Sequence, residues 1–385
     1  RLVLARQLLS ETGVIFCSID DRNQAYVKGL FDEVFEEKNF EASIGWRRRS
    51  NQPNDAAKMI ATVLEYLIVY AKNGIALKNY QTFGKISLSQ KRLDSYANPD
   101  DDIMGEWTST PWCASKGQGG TKYTIITPTG ISYDEVWLGK KETFEKLLLD
   151  NRIIFPNNGN GKPRKKIYKK ERIIGGQSAI NLWVGKEYGD NLSATNQLKK
   201  IFGDERIFDN PKPVELICNI VKVASSNKES LILDFFAGSG TTAQAVLELN
   251  KEDGGKRTFI LATNNEKTDT NHCGIAHDVT VKRLKRIMTG MCYDGTKNFK
   301  WLEKNKPYGD NLDVYDIAEV ANFEGTQGKT PFDVIDERLY GQEAFKTIRE
   351  KIEWVCDNFE HTQRTIETQE QWLKRKQEKP PKIRQ

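Results

Sequence analysis

The sequence predicts an α/β protein interrupted by a stretch of different character. Three observations point there. Short apolar runs alternate with amphipathic stretches over the first eighty or so residues, and the same alternation resumes after about residue 207. Between them, from about Lys85 to Arg206, the pattern dissolves into aromatics, glycines and turn residues. Late in the chain, LILDFFAGSGTTAQAV (Leu231–Val246) reads as a strand, a glycine-bearing turn and a helix in direct succession. Alternation of strand and helix is the signature of a sheet covered by helices.

In chain order, RLVLARQLLSETG has leucines at helical spacing from its first residues, with no capping residue ahead of them. The expectation is that the chain begins inside a helix and that a segment upstream is missing. GVIFCSID (Gly13–Asp20) is an apolar run read as a buried strand of a parallel sheet. RNQAYVKGLFDEVF is read as helix, and FEASIGW and LEYLIVYAK as two further strands. The middle stretch is expected to be an irregular, mostly β and loop insertion. Its Trp107, Trp112, Trp137 and Trp183 argue against disorder, because disordered segments are poor in aromatics. VELICNIVKVAS then predicts a helix, LILDFF a strand, TTAQAVLEL a helix and RTFILATNN a strand. Near the end, Phe345, Ile348, Ile352, Val355 and Phe359 fall at helical spacing and predict an amphipathic helix, followed by a basic tail.

Composition narrows the class. The 385 residues carry a net charge of only +5, so any basic face must come from clustering. No apolar run is long enough to span a bilayer. The six scattered cysteines form no CxxC pair, which fits a reducing cytoplasm better than a disulfide framework. The spacing of His272, Cys273, His277 and Cys292 matches no zinc site, and no metal is expected.

The glycine turn carries the chemistry. Gly238 and Gly240 permit backbone angles and a close approach that a side chain would block, and the helix that follows directs its positive end at whatever lies there. FAGSGTT is neither the GxGxxG of a dinucleotide site nor a P-loop with its lysine. Asp234 stands at the end of the first strand. Glu266 is read as the end of the second, where a carboxylate is suited to grip ribose hydroxyls. Upstream, two prolines stiffen the loop around Lys212 just before a helix. Positive charge clusters in WRRRSNQPND (Trp46–Asp55) and GKPRKKIYKKER (Gly161–Arg172), where Arg47, Arg48, Arg49, Lys165 and Lys166 are the candidates for phosphate contact.

FDNPKPVELI, LILDFFAGSGTTAQAV, RTFILATNNE and VTVKRLKRIMTG, in that order, resemble the C-terminal half of the β-class DNA amino-methyltransferases. GVIFCSIDD and LEYLIVYAKN resemble that family's strands on the other side of an insertion. YANPDDDIMGEW and PRKKIYKKE resemble the Mod subunits of type III restriction-modification systems. The resemblance implies a class I, Rossmann-like methyltransferase sheet, circularly permuted, with an inserted target-recognition domain and a C-terminal helical extension. It implies a division into residues 1–84 (catalytic-side half), 85–206 (target recognition), 207–295 (cofactor half) and 296–385 (helical region and basic tail). It also implies S-adenosylmethionine as cofactor. Asp234, Phe236, Ala237, Gly238 and Gly240 would then form the cradle, Thr241 and Thr242 open the helix behind it, Lys212 and Pro213 border the methionine end, and Glu266 hold the ribose.

The expected reaction is methyl transfer to adenine N6 in duplex DNA, with cytosine N4 and a non-catalytic DNA-binding relic as alternatives. An NAD-dependent oxidoreductase is disfavoured by the absent GxGxxG. The implied partners are double-stranded DNA, a second copy of the chain and a helicase-nuclease restriction subunit. Such enzymes carry an Asp/Asn/Ser-Pro-Pro-Tyr tetrapeptide whose oxygens accept the hydrogens of the target amine. The only Pro-Pro here, Pro380-Pro381, lies in the basic tail. The chain as it stands is therefore expected to be inactive, with no catalytic residue to assign.

Overall fold

A computed structural model describes residues 1–52, 54, 59–203 and 207–315. The expected amphipathic helix from Phe345 to Phe359, Pro380-Pro381 and the basic tail lie outside the described residues. Arg1–Asn311 forms one compact unit.

The first section runs α1 (Leu2–Leu8), β1 (Val14–Ile19), α2 (Gln24–Phe35), β2 (Phe40–Arg47), β3 (Leu64–Ala71) and α3 (Gly74–Tyr80). Phe31 and Phe35 stand one turn apart on α2 and are buried against Ile68 and Tyr70 of β3, with their rings stacked at 5.5 Å between centroids. The expectation of a parallel sheet fails here. β3 pairs antiparallel with both β1 and β2, so β1 and β2 share a direction but are separated by the strand that returns between them. The apolar run of β1 reports burial, which both sheet types provide, and says nothing of strand direction.

The middle section is more regular than its composition suggests. After α4 (Gln90–Leu93) come β4 (Trp107–Pro111), β5 (Thr121–Ile126), β6 (Ser132–Trp137), α5 (Lys141–Leu149), β7 (Ile153–Ile154), β8 (Arg164–Tyr168) and α6 (Lys169–Gly175). β5 and β6 form a hairpin, and β4, β8 and β7 a three-stranded antiparallel sheet. Trp112, Ile125, Trp137, Phe144 and Ile153 make a core of their own. An antiparallel bridge between Ile86 and Gln177 pairs the two ends of this section. Beyond it, β9 (Leu182–Trp183) adds parallel to β2, and Trp183 and Tyr188 enter the core of the first sheet with Trp46. α7 (Gly185–Tyr188) and α8 (Asn191–Phe202) follow, the latter opened by a capping box between Asp190 and Ser193. Trp183 therefore packs with the first sheet and not with the Trp112–Trp137 core.

The last section holds α9 (Val214–Ala224), β10 (Leu231–Asp234), α10 (Thr241–Asp253), β11 (Thr258–Leu261) and α11 (Lys282–Thr289), the last entered through a π-helical turn, Ala276–Val281. β10 and β11 pair in parallel across the α10 crossover, as the alternation predicts. α9 joins two cores. Leu216 and Ile220 pack into the first-sheet cluster, while Val214, Cys218 and Val221 pack against Ala245 and Leu249 of α10. Its start, at Lys212-Pro213, is thereby held between the four-stranded sheet and the glycine turn.

Candidate functional site

The turn after β10 is shaped by two glycines in the left-handed region, Gly238 at φ +49° and Gly240 at φ +75°. A β-carbon at Gly240 would lie 3.0 Å from Thr280 Cγ2, and one at Gly238 3.0 Å from the ring of Phe208. Both positions thus require glycine on two counts, conformation and space. Asp234 ends β10 and ties the turn together. Its carboxylate accepts the Phe236 amide at 3.0 Å and the Thr242 hydroxyl at 2.5 Å. Ala237 donates to the carbonyl of Ala262 just past β11, at 3.1 Å, which fixes the turn to the second βα unit. Ser239, Thr241 and Thr242 are buried, whereas Phe236 is 66% exposed. The amides of Gly238 and Ser239 have no hydrogen-bond partner among the described residues. The outcome is a bend with free donors, an exposed aromatic ring with the Arg1 guanidinium 4.9 Å from its centroid, and the start of a thirteen-residue helix, α10.

Lys212 lies beside this bend by its backbone. Its carbonyl accepts from Thr241 Oγ1 at 3.1 Å. Its ammonium turns the other way, pairing with buried Glu65 on β3 and standing 5.4 Å from the centroid of the Trp46 ring. Glu65 also accepts from Ser18 Oγ at 2.5 Å. Pro213 is the residue from which α9 starts. Glu266 corrects the reading of the second strand. β11 stops at Leu261, and Glu266 is exposed in the following loop, its carbonyl taking the Ile275 amide at 2.9 Å. The expected strand continued because ATNNE follows without a glycine or proline, yet the chain turns away once Ala262 has closed the ladder.

Sequence reasoning passed over the residue that braces the bend. Arg283 of α11 is fully buried, and burial pulls its guanidinium down to about 10. It donates to the Ser239 carbonyl at 3.0 Å, to Thr241 Oγ1 at 2.9 Å and to Gln244 Oε1 at 2.7 and 2.9 Å. One turn earlier, Thr280 donates to the Gly238 carbonyl at 2.6 Å. In VTVKRLKRIMTG the only signal was the three-residue spacing of Thr280 and Arg283. Among Lys282, Lys285 and Arg286, nothing marks Arg283 as the inward one.

The basic candidates separate. Arg47 and Arg49 are exposed, with the Arg47 guanidinium held on the carbonyls of Arg49 and Ser50. Arg48 is half-buried and lines a cavity of about 390 Å³ with Asp20, Asp21, Arg22, Thr62 and Leu64. Its Nε has no partner among the described residues. Lys165 is half-buried on β8. Lys166 is not a phosphate ligand in this structure. Its side chain is fully buried, with the ammonium 2.7 Å from Asp100 and 2.6 Å from Asp102. Alternation along β8 turns successive side chains to opposite faces, so two adjacent lysines cannot both point outward.

Comparison with known proteins places this architecture. Residues 1–271 match the N6_N4_Mtase family, described as DNA methylase. The chain is 34% identical over 350 residues to the type III restriction-modification enzyme StyLTI Mod subunit of Salmonella typhimurium, covering 86% of this chain and 51% of that one. It is 32% identical to the EcoPI Mod subunit of Escherichia phage P1 (74% and 48% covered), and 30% identical to the type II methyltransferase M.KpnI of Klebsiella pneumoniae (74% and 72%). The chain spans about half the length of the type III Mod subunits it matches. Among solved structures, the M1.HpyAVI-SAM complex aligns with 68% of this chain and 74% of that one, at 13% identity and a TM-score of 0.29. With the match running from the first helix past the glycine bend and β11, the chain belongs to the DNA methylase family.

Proposed function

We propose that this chain is the cofactor-binding and DNA-binding part of a type III modification subunit that methylates adenine N6 in duplex DNA, with S-adenosylmethionine as methyl donor. The observation that carries the reading is the Asp234–Gly240 bend. It offers free amides, an exposed aromatic and a helix start at the end of a parallel strand, where sheets of this kind hold nucleotide-like ligands. Within the family already established, that set of groups suits an adenosyl sulfonium.

S-adenosylmethionine supplies an electrophilic methyl on a sulfonium. The chain's own residues bind and orient it. Phe236 offers the purine an exposed ring, beside the Arg1 guanidinium that lies 4.9 Å from its centroid. The Gly238 and Ser239 amides, backed by Arg283 and Thr280, are rigid donors for the polar end. Pro213 borders that end, and Glu266 is free to accept ribose hydroxyls. Lys212 acts through its carbonyl on Thr241, since its ammonium is engaged by Glu65.

In this reading the section between Ile86 and Gln177 recognises the target, while residues 1–84, with β9 added to their sheet, and residues 207–295 form the permuted methyltransferase fold. Arg47, Arg48, Arg49 and Lys165 are the phosphate contacts that remain once Lys166 is withdrawn. A homodimer, a restriction subunit and a cytoplasmic setting are inferred from the resemblance alone.

The exocyclic amine of adenine is a weak nucleophile because its lone pair is delocalised, so transfer needs acceptors aligned on its hydrogens. The sequence holds no Asp/Asn/Ser-Pro-Pro-Tyr, so this chain alone is expected to bind without transferring. Radiolabelled methyl incorporated into DNA by this chain above background would contradict that. The function itself is tested by single-molecule sequencing of DNA from cells expressing the whole gene. N6-methyladenine at one short sequence is expected; N4-methylcytosine, or no modification, would overturn the reading.

A further inference from the structure

The loop Asn98–Glu106, between α4 and β4, spends an unusual share of polar contacts on displaying apolar side chains. Asp102 lies under the loop. Its carboxylate takes the Lys166 ammonium at 2.6 Å, the Tyr168 hydroxyl at 2.8 Å and the Met104 amide at 2.9 Å. Its backbone is clamped by Asn98 through bonds of 2.7 and 3.0 Å, and its carbonyl takes the Gly105 amide at 2.8 Å. Asp100 accepts from Lys166 at 2.7 Å and from Trp107 Nε1 at 2.8 Å. Asp101 at φ +48° and Gly105 at φ +90° complete a shape that an unrestrained loop would not keep.

At the tip of this frame Ile103 is 97% exposed and Met104 is 42% exposed. A lone exposed isoleucine needs no explanation. This one differs in being fixed outward, and in its setting. The Glu106 carbonyl accepts the Lys169 amide at the start of α6, so that helix begins beside the loop. The Lys170 side chain lies 3.8 Å from where a Gly105 β-carbon would stand. Lys170 and Arg172 are exposed and form no ion pair among the described residues; Asp100 and Asp102 share the Lys166 ammonium and Glu106 pairs with Lys169, while Asp101 is exposed with no ion pair among the described residues. The outward face therefore has Ile103 and Met104 at its centre, the Asp101 carboxylate beside them and the two cations Lys170 and Arg172 at its flank.

We propose that this loop is a duplex-DNA wedge: Ile103 and Met104 press apolar surface into a base step while Lys170 and Arg172 hold the neighbouring phosphates. The inference rests on the DNA-binding reading above. Apolar side chains set against a base step partly unstack it and bend the duplex, and lysines alone do neither.

The test uses the whole chain and a mixed-sequence duplex of about 30 base pairs with a fluorophore at each end, as smooth bending over such a length is resisted by duplex stiffness. Binding by the unaltered chain should raise end-to-end energy transfer. The double substitution Ile103→Ser, Met104→Ser should remove that rise and weaken binding roughly tenfold, with the salt slope unchanged. Lys170→Ala should keep the bend and lower the salt slope by about 1. Because the serines replace exposed side chains, the melting temperature should not move. Unaltered bending and affinity in the double variant, with Lys170→Ala still weakening binding, would overturn the wedge and leave the DNA reading intact. A double variant that changes only the oligomeric state would also overturn it, assigning the tip to a second copy of the chain. Failure of the unaltered chain to bind the duplex at low salt would sink the DNA reading and the wedge together.

Discussion

The guanidinium of Arg283 is buried among neutral oxygens and forms no ion pair among the described residues. Its desolvation is offset by hydrogen bonds to Gln244, Ser239 and Thr241, residues in the glycine bend and at the start of α10. Arg283→Met removes all of these at once and leaves buried acceptors unmet. A loss of about 3 kcal/mol in unfolding free energy is expected from urea denaturation. Arg283→Lys should recover little of it, because a single ammonium cannot reproduce the guanidinium fork. At Gly240, substitution by alanine meets both the left-handed backbone, worth about 1 kcal/mol, and a methyl group 3.0 Å away. A lower melting temperature and weaker S-adenosylmethionine binding should appear together in that variant. These two residues show how unevenly the site could be read from the sequence. Gly240, Asp234 and Thr242 announce themselves because a strand, a glycine turn and a helix are contiguous. Arg283 arrives from some forty residues away on another helix, and nothing local distinguishes an inward cation from an outward one.

At the scale of elements, β8 carries the clearest lesson. Its KK pair reads as a basic patch, yet strand alternation sends Lys166 inward to Asp102 and leaves Lys165 half-exposed. The hydrogen bond from Lys166, with the Met104 amide after it, holds the Asp102 carboxyl down at about 2. A carboxylate whose folded value lies below its unfolded value of about 3.9 stabilises the fold above that value. The stabilisation is then lost as pH falls from about 4 towards 2. Acid unfolding followed by tryptophan fluorescence should show a transition in that window, since Trp107 and Trp112 sit in this section. In Lys166→Met the melting temperature at neutral pH should drop by several degrees, because Asp102 is left under the loop without its cation. A variant as stable as the parent would contradict the lock. The expected helices and strands were mostly found where periodicity placed them, α2, α9 and α10 most plainly. Strand direction was not legible, since β3 enters between β1 and β2 through a long-range pairing that no local pattern records. The regularity of the middle section was also hidden, as short antiparallel strands rich in turns look irregular when read singly.

On the scale of the whole molecule, the four-stranded sheet and the β10–β11 pair are separate sheets among the described residues, and α9 is packed into both cores. The Lys212–Glu65 pair adds a polar tie along the same seam. Cofactor binding at the bend is therefore expected to stabilise both sheets, because ligand bound only to the folded state raises the free energy of unfolding. Duplex binding should weaken steeply with salt. Replacing Arg47 and Arg49 by alanine should lower the slope of log affinity against log salt by about 2 if each contacts one phosphate. An unchanged slope would remove that pair from the DNA face. The central claim is that the Asp234–Gly240 bend binds S-adenosylmethionine, and calorimetric titration of the whole chain tests it most directly. One S-adenosylmethionine per chain should bind, NAD should not, and Asp234→Ala, which frees the Phe236 amide and the Thr242 hydroxyl, should weaken the affinity at least about tenfold. Absence of heat with S-adenosylmethionine, or equal binding by the Asp234→Ala chain, would contradict it.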